Sequence, residues 1–134
     1  AEEASLTAIF AEADILSIHT PLTKETHHML SRSFIQQFKK PFYVINTARG
    51  PIVNTADLVE ALKNGKVLGA CLDVLEYEKS SFENMFSDEN LPAPLQYLLQ
   101  SDKVILSPHI AGWSHESFTK MAEVMLARIG NVAG

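Results

Sequence analysis

Four short stretches of this sequence, Ile15–Ile18, 42–45, Val67–Leu72 and Val104–Leu106, are nearly continuous in apolar residues, and each stops abruptly at polar or ionisable ones. A half-buried strand alternates in and out, whereas an unbroken apolar run fits a strand covered on both faces, as in a parallel sheet. Helical patterns lie between the runs. Ser5 can cap a short helix whose Leu6, Ile9 and Phe10 share a face, and Ser31 or Ser33 can open another with Phe34, Ile35 and Phe38 inward. Asn54 or Thr55 precedes Leu58, Ala61 and Leu62, with Gly65 as the stop. The clearest helix starts at Ser114, has His115 in its first turn, and carries Phe118, Met121, Ala122, Met125 and Ile129 at the spacing of a core stripe. The segment 79–100 is irregular, holds Pro92 and Pro94, and reads as a long excursion with one or two short helices, with Tyr97, Leu98 and Leu99 docking. Alternating helices and strands predict an α/β fold of about four parallel strands with flanking helices.

Composition narrows the class. The chain has 134 residues, enough for one domain with its own core, with 46% hydrophobic and 20% charged residues. A net charge of −5 without any run of Lys or Arg argues against nucleic acid or an anionic membrane surface as the main partner. The one cysteine, Cys71, excludes an internal disulfide, suits a reducing compartment, and reads as a small buried hydrophobe inside its strand. No apolar stretch approaches the roughly 20 residues that span a bilayer. The expectation is a soluble cytoplasmic protein.

Right-handed crossovers would point all the strands one way and bring their carboxyl ends to a single edge, where ligands of open α/β sheets bind. The residues just past the runs are His19-Thr20-Pro21, Asn46-Thr47-Ala48-Arg49-Gly50, Asp73, and Ser107-Pro108-His109. The fold would therefore gather Arg49, Asp73 and His109 along one rim. Arg49 there offers a bidentate fork to a carboxylate or phosphate, although a lone arginine is as readily a surface ion-pair partner. His109 precedes a small-residue turn, Ile110-Ala111-Gly112, that would let a ligand approach the backbone; alone it could equally be a structural hydrogen-bonder. Glu78, on the loop leaving the third strand, is by itself a solvated acid. Beside His109 it would fix one ring tautomer and fit the imidazole for general acid/base work. A guanidinium clamp with a histidine–carboxylate pair is what hydride transfer between a hydroxy acid and its keto acid requires. The neighbours His27 and His28 read as surface residues, because adjacent positions on a helix point apart and no Cys or acid completes a metal set.

Five segments, 13–23, 44–53, 62–66, 69–74 and 107–112, occur in the order and wording of a known family. The chain resembles the later half of the NAD-binding domain of the D-isomer-specific 2-hydroxyacid dehydrogenases, among them D-3-phosphoglycerate dehydrogenase. The resemblance implies a partial Rossmann-like domain, NAD as cofactor, and Arg49, Glu78 and His109 as catalytic residues. It also implies that Asp73 hydrogen-bonds the nicotinamide carboxamide, and that Thr20, Thr47, Ala48 and the turn of His109, Ala111 and Gly112 line the NAD site, with Pro21 and Thr26 bordering it. The implied substrate is a small 2-hydroxy or 2-keto acid, phosphoglycerate of serine biosynthesis first among them, and the intact parent is expected to be a homodimer. A corepressor-like NAD-sensing module on the same fold is the alternative.

Three departures stand out. Lys79 follows Glu78 where the family usually has proline, so the loop that presents Glu78 could take another path. Trp113 replaces a small residue and is expected to pack under the final helix rather than stack at the substrate mouth. No G-x-G-x-x-G occurs, although such a domain holds the pyrophosphate with one. The expectation is a piece of a longer protein, lacking the glycine-rich half and the substrate domain. Its first strand would be an open edge, and by itself the piece would neither bind NAD tightly nor catalyse.

Overall fold

A computed structural model of the chain describes residues 2–77 and 91–132. Glu78 and most of the excursion after it, 79–90, lie outside the described residues. The four apolar runs are strands: β1 (Ile15–Ile18), β2 (Phe42–Asn46), β3 (Val67–Leu72) and β4 (Val104–Leu106). They form one sheet in the order β1-β2-β3-β4 with every neighbouring pair parallel. Helix α1 (Leu6–Glu12) precedes the sheet, α2 (Arg32–Ile35), α3 (Thr55–Lys63) and α4 (Ala93–Gln100) lie in the three crossovers, and α5 (His115–Val132) follows β4. Among the described residues no helix is long and apolar enough to cross a membrane.

Local chemistry sets these boundaries. Ser5 Oγ accepts the Ala8 N–H at 3.2 Å to open α1, and Asn54 Oδ1 accepts the Asp57 N–H at 3.1 Å to open α3. Ser114 Oγ accepts the Ser117 N–H at 3.1 Å at the start of α5. After α3 the chain turns at Gly65, whose φ of +79° is cheap only without a side chain. Phe38, Phe42, Leu30, Ile52, Leu58, Leu62, Leu95 and Leu98 are fully buried between sheet and helices. Phe38 stacks on Phe42 with ring centroids 3.7 Å apart, and Phe10 from α1 meets Phe34 and Phe38 edge-on. Each such side chain taken out of water stabilises the fold by about 1.5–3 kcal/mol.

The expectation of cover on both faces is corrected. Burial alternates along β2, where Phe42, Val44 and Asn46 are buried and Tyr43 is half exposed. Along β3 the alternation slips at a bulge: Phe42 pairs with Val67, but Tyr43 pairs with Gly69. Ile15, Tyr43, Leu68 and Ile105 are exposed on the strands, and Cys71 is exposed too, not buried as its apolar neighbours suggested. The reason is the strand order. Right-handed crossovers that always step to the next strand in one direction lay every connecting helix on the same face. A reversal of order would be needed to cover the other. The stripe on α5 is corrected too: α5 follows the last strand and is no crossover, so the strand connections do not lay it on the sheet. Phe118, Met121, Met125 and Ile129 are all more than half exposed. Trp113 does not pack under α5 either, being 74% exposed. On α4, Leu98 docks fully, Tyr97 packs against the core, and Leu99 points largely outward.

Candidate functional site

The parallel strands deliver their carboxyl ends to one edge, and the rim residues are held there by side chains that bond to backbone. Asn46, the last residue of β2, is fully buried; its Oδ1 accepts the Ala48 N–H at 3.0 Å and its Nδ2 donates to the Arg49 carbonyl at 3.1 Å. That clasp fixes the turn carrying Thr47, Ala48 and Arg49. A short 3-10 turn, Gly50–Ile52, follows, and Gly50 lies so close to the next loop that a Cβ there would meet the Leu75 carbonyl oxygen at 1.9 Å. Only glycine permits that approach. Arg49 is exposed, donates from Nη1 to the Ala48 carbonyl at 2.6 Å, and lines a cavity of about 590 Å³ with His19, Thr20, Pro21, Leu22, Thr47 and Ala48.

The second half of the rim is built on Asp73, which is 4% exposed. Its Oδ1 accepts the Ser107 hydroxyl at 2.6 Å and the Ile110 N–H at 2.9 Å, and its Oδ2 accepts the Ala111 N–H at 2.9 Å. The Asp73 carbonyl accepts the His109 N–H at 2.9 Å. One residue thus grips the turn from Ser107 to Ala111 at both its backbone and its carboxylate. His109 at its centre has φ of +57°, a left-handed conformation that a non-glycine residue adopts only when its surroundings impose it. Burial alone would push the Asp73 carboxyl up; the Ser107 hydroxyl, the Ala111 and Ile110 amides and the neighbouring His109 outweigh it and hold the group below the ordinary aspartate value.

The loop after β1 is folded on itself. Thr26 Oγ1 donates to the Pro21 carbonyl at 2.7 Å and accepts the Thr23 N–H at 2.7 Å, so Thr26 shapes the cavity wall through Pro21. The surface reading holds for His27, which is exposed, and is corrected for His28, which is half-buried against an acid. His27 and His28 lie in a turn, not a helix, with ring centroids 4.0 Å apart, and His28 Nε2 meets Glu76 Oε1 at 2.6 Å. Neither Glu76 nor the clasp of Asn46 was read from the sequence. Asn46 carried a usable signal, since an asparagine closing an apolar strand can bond its own backbone two residues on. Nothing local pairs His28 with Glu76.

The sequence and the four-stranded parallel sheet find matches among known proteins. A family model described as the D-isomer specific 2-hydroxyacid dehydrogenase NAD binding domain matches residues 1–111. The chain belongs to this family. The match takes in every rim residue up to Ala111. The chain is similar to a glyoxylate reductase of Thermofilum pendens, 44% identical over 92% of this chain and 33% of that protein. It is similar also to an aromatic 2-oxoacid reductase of Clostridium sporogenes, 35% identical over 96% of this chain and 39% of that protein. The crystal structure of a D-lactate dehydrogenase from Aquifex aeolicus complexed with NAD and lactic acid superposes with a TM-score of 0.74 at 34% identity, over 97% of this chain and 40% of that one. The chain therefore spans well under half the length of these relatives.

The residues of this NAD-binding domain fit a polar ligand at the cavity. Thr20 Oγ1 is buried and has no hydrogen-bond partner among the described residues. An unsatisfied buried hydroxyl costs about 1–3 kcal/mol, which a ligand group bonded to it would offset. At Gly112 a Cβ would meet nothing within 4 Å, so the turn beyond His109 is open.

Proposed function

We propose that the chain is the second half of the dinucleotide-binding domain of an NAD-dependent oxidoreductase that interconverts a D-2-hydroxy acid and its 2-keto acid. The observation that carries this reading is the pairing of an open Arg49 cavity with a histidine turn clamped by Asp73, both at the carboxyl edge of one parallel sheet. Thr20, Thr47, Ala48, Ala111 and Gly112 would hold the cofactor along that edge, the orphaned hydroxyl of Thr20 among the first contacts. Asp73 has its lone pairs largely committed to the turn, so it serves the cofactor chiefly by shaping what touches it. When bound, NAD supplies or accepts the hydride at the substrate's 2-carbon. Arg49 binds the substrate carboxylate with its planar fork and orients the carbonyl. His109 gives a proton to the 2-oxygen in reduction and takes it back in oxidation. Glu78 is assigned as the partner of His109 on the family resemblance alone.

The relatives' names, glyoxylate reductase, aromatic 2-oxoacid reductase and D-lactate dehydrogenase, favour an enzyme over a sensing module. They leave the acid itself open, and phosphoglycerate rests on the sequence resemblance. The test is a panel of oxo acids (glyoxylate, pyruvate, phenylpyruvate and 3-phosphohydroxypyruvate) with NADH and the full-length protein. His109→Ala is expected to abolish turnover while NADH binding persists, and Arg49→Lys is expected to raise the oxo-acid KM. Wild-type turnover in His109→Ala refutes the assignment.

A further inference from the structure

The carboxylate of Glu76 joins three loops that carry the rim. Its Oε2 accepts the Thr55 N–H at 2.8 Å, at the first residue of α3, and its Oε1 meets His28 Nε2 at 2.6 Å across 48 positions of sequence. An ionised carboxylate can only accept, so His28 Nε2 carries the proton of that bond. Both side chains are withdrawn from solvent, to 19% exposure for Glu76 and 34% for His28. Burial pushes the Glu76 carboxyl up, yet the Thr55 amide and hydroxyl and the His28 ring together bring it below the ordinary glutamate value. The acid is therefore ionised and bonded, not a solvated surface charge.

His28 reaches Glu76 through an unusual backbone. Its φ of +52° is left-handed, and it is kept there because its N–H donates to the Pro51 carbonyl at 2.8 Å. Leu30 continues the stitching: its N–H donates to the Ile52 carbonyl and its own carbonyl accepts the Asn54 N–H. The loop after β1 is thus laced to the segment immediately following Arg49. From the other side Gly50 rests on the Leu75–Glu76 peptide, where an added Cβ would meet Leu75 O at 1.9 Å and Glu76 N at 2.6 Å. Arg49 lies between these constraints, with an exposed side chain whose aim depends on its backbone.

We propose that His28 and Glu76 are positioning residues for Arg49. Their bridge clamps the loops after β1 and β3 against the segment 50–55 and so fixes where the guanidinium meets the substrate carboxylate. The inference rests on the proposed dehydrogenase reading. Misplacing an anchoring group by a fraction of an ångström weakens substrate capture without touching the proton donor.

The experiment uses the full-length protein with NADH and its best oxo acid. Glu76→Ala removes both arms; Glu76→Gln keeps an acceptor for Thr55 while losing the charge; His28→Asn removes the histidine arm with a residue that tolerates left-handed backbone. Each is expected to raise the oxo-acid KM, about tenfold for Glu76→Ala and less for the other two, with kcat and the NADH Kd within about twofold. On an Arg49→Ala background the further effect of each should vanish, because both act through that one group. A purely structural role would lower the melting temperature or the active fraction and leave KM alone, and that result overturns the proposal. So does a KM that multiplies further on the Arg49→Ala background. If Arg49→Lys itself leaves KM unchanged, the dehydrogenase reading falls and the bridge's role falls with it. If Arg49→Lys raises KM and the bridge variants do not, the bridge alone is refuted.

Discussion

Replacing Asp73 by asparagine exchanges one carboxylate oxygen for an NH2 group and should loosen the turn that presents His109. The wild-type carboxylate accepts from Ser107, Ile110 and Ala111, all within 2.9 Å. An amide oxygen at the Oδ1 position keeps Ser107 and Ile110 but turns an NH2 toward the Ala111 N–H. The flipped amide keeps Ala111 and abandons Ile110. Either way one backbone donor at a site only 4% exposed loses its acceptor, and the surviving bonds lose their charge assistance. The orphaned donor costs about 1–3 kcal/mol and the weakened bonds add to it, giving about 3 kcal/mol at the turn. Native-state hydrogen exchange of the full-length protein reads this directly: the Ile110 and Ala111 amides should exchange about 100-fold faster at neutral pH. The pH dependence has a fixed sign. The folded-state carboxyl is held below its ordinary value, so its stabilisation is complete above about pH 4 and fades as the pH falls through the folded value. The gap between wild type and variant should therefore close in acid. An exchange ratio under about threefold at neutral pH, or a gap that persists in acid, refutes the argument that this carboxylate holds the turn.

Gly50→Ala places a Cβ 1.9 Å from a backbone oxygen that cannot swing away, so it should cost more than about 3 kcal/mol and lower the melting temperature by several degrees; a wild-type melting curve would refute the close approach. Thr20→Val keeps the shape of the side chain and removes a hydroxyl that has no partner among the described residues. The protein should be as stable as wild type or slightly more so, while NADH binds several-fold more weakly; an unchanged NADH Kd would deny Thr20 its place in the cofactor site.

The strands were legible because the information is local. A run such as Val67–Leu72 offers no polar face, Asn54 and Ser5 sit where helix N-termini need acceptors, and Gly65 permits the turn that ends α3. The rim was legible for a related reason: once strands are parallel, whatever follows each run must share one edge. Arg49, Asp73 and His109 follow from that rule without knowledge of any contact. The bonds that make the rim stiff were not legible. His28 meets Glu76 from far along the chain, and the left-handed backbone that aims it arises from its bond to Pro51. Likewise nothing local marks Ser107 as a donor to Asp73.

Burial of the sheet failed for a reason that also explains the site. Hydropathy along a strand records what a position tolerates, whereas the order of strands decides which helices cover it. Here the order rises without reversal, so the crossovers share one face, and Tyr43, Cys71 and Ile105 are left exposed on strands whose sequence allows full burial. The same monotonic order sets neighbouring loops side by side along the carboxyl edge, which is what lets Glu76 reach Thr55 and His28, and Gly50 press on Leu75. A reversal between β1 and β2 would cover more of the sheet and separate the loops that Glu76 now joins. In this topology the one-sided cover and the clasped rim are consequences of a single choice of strand order.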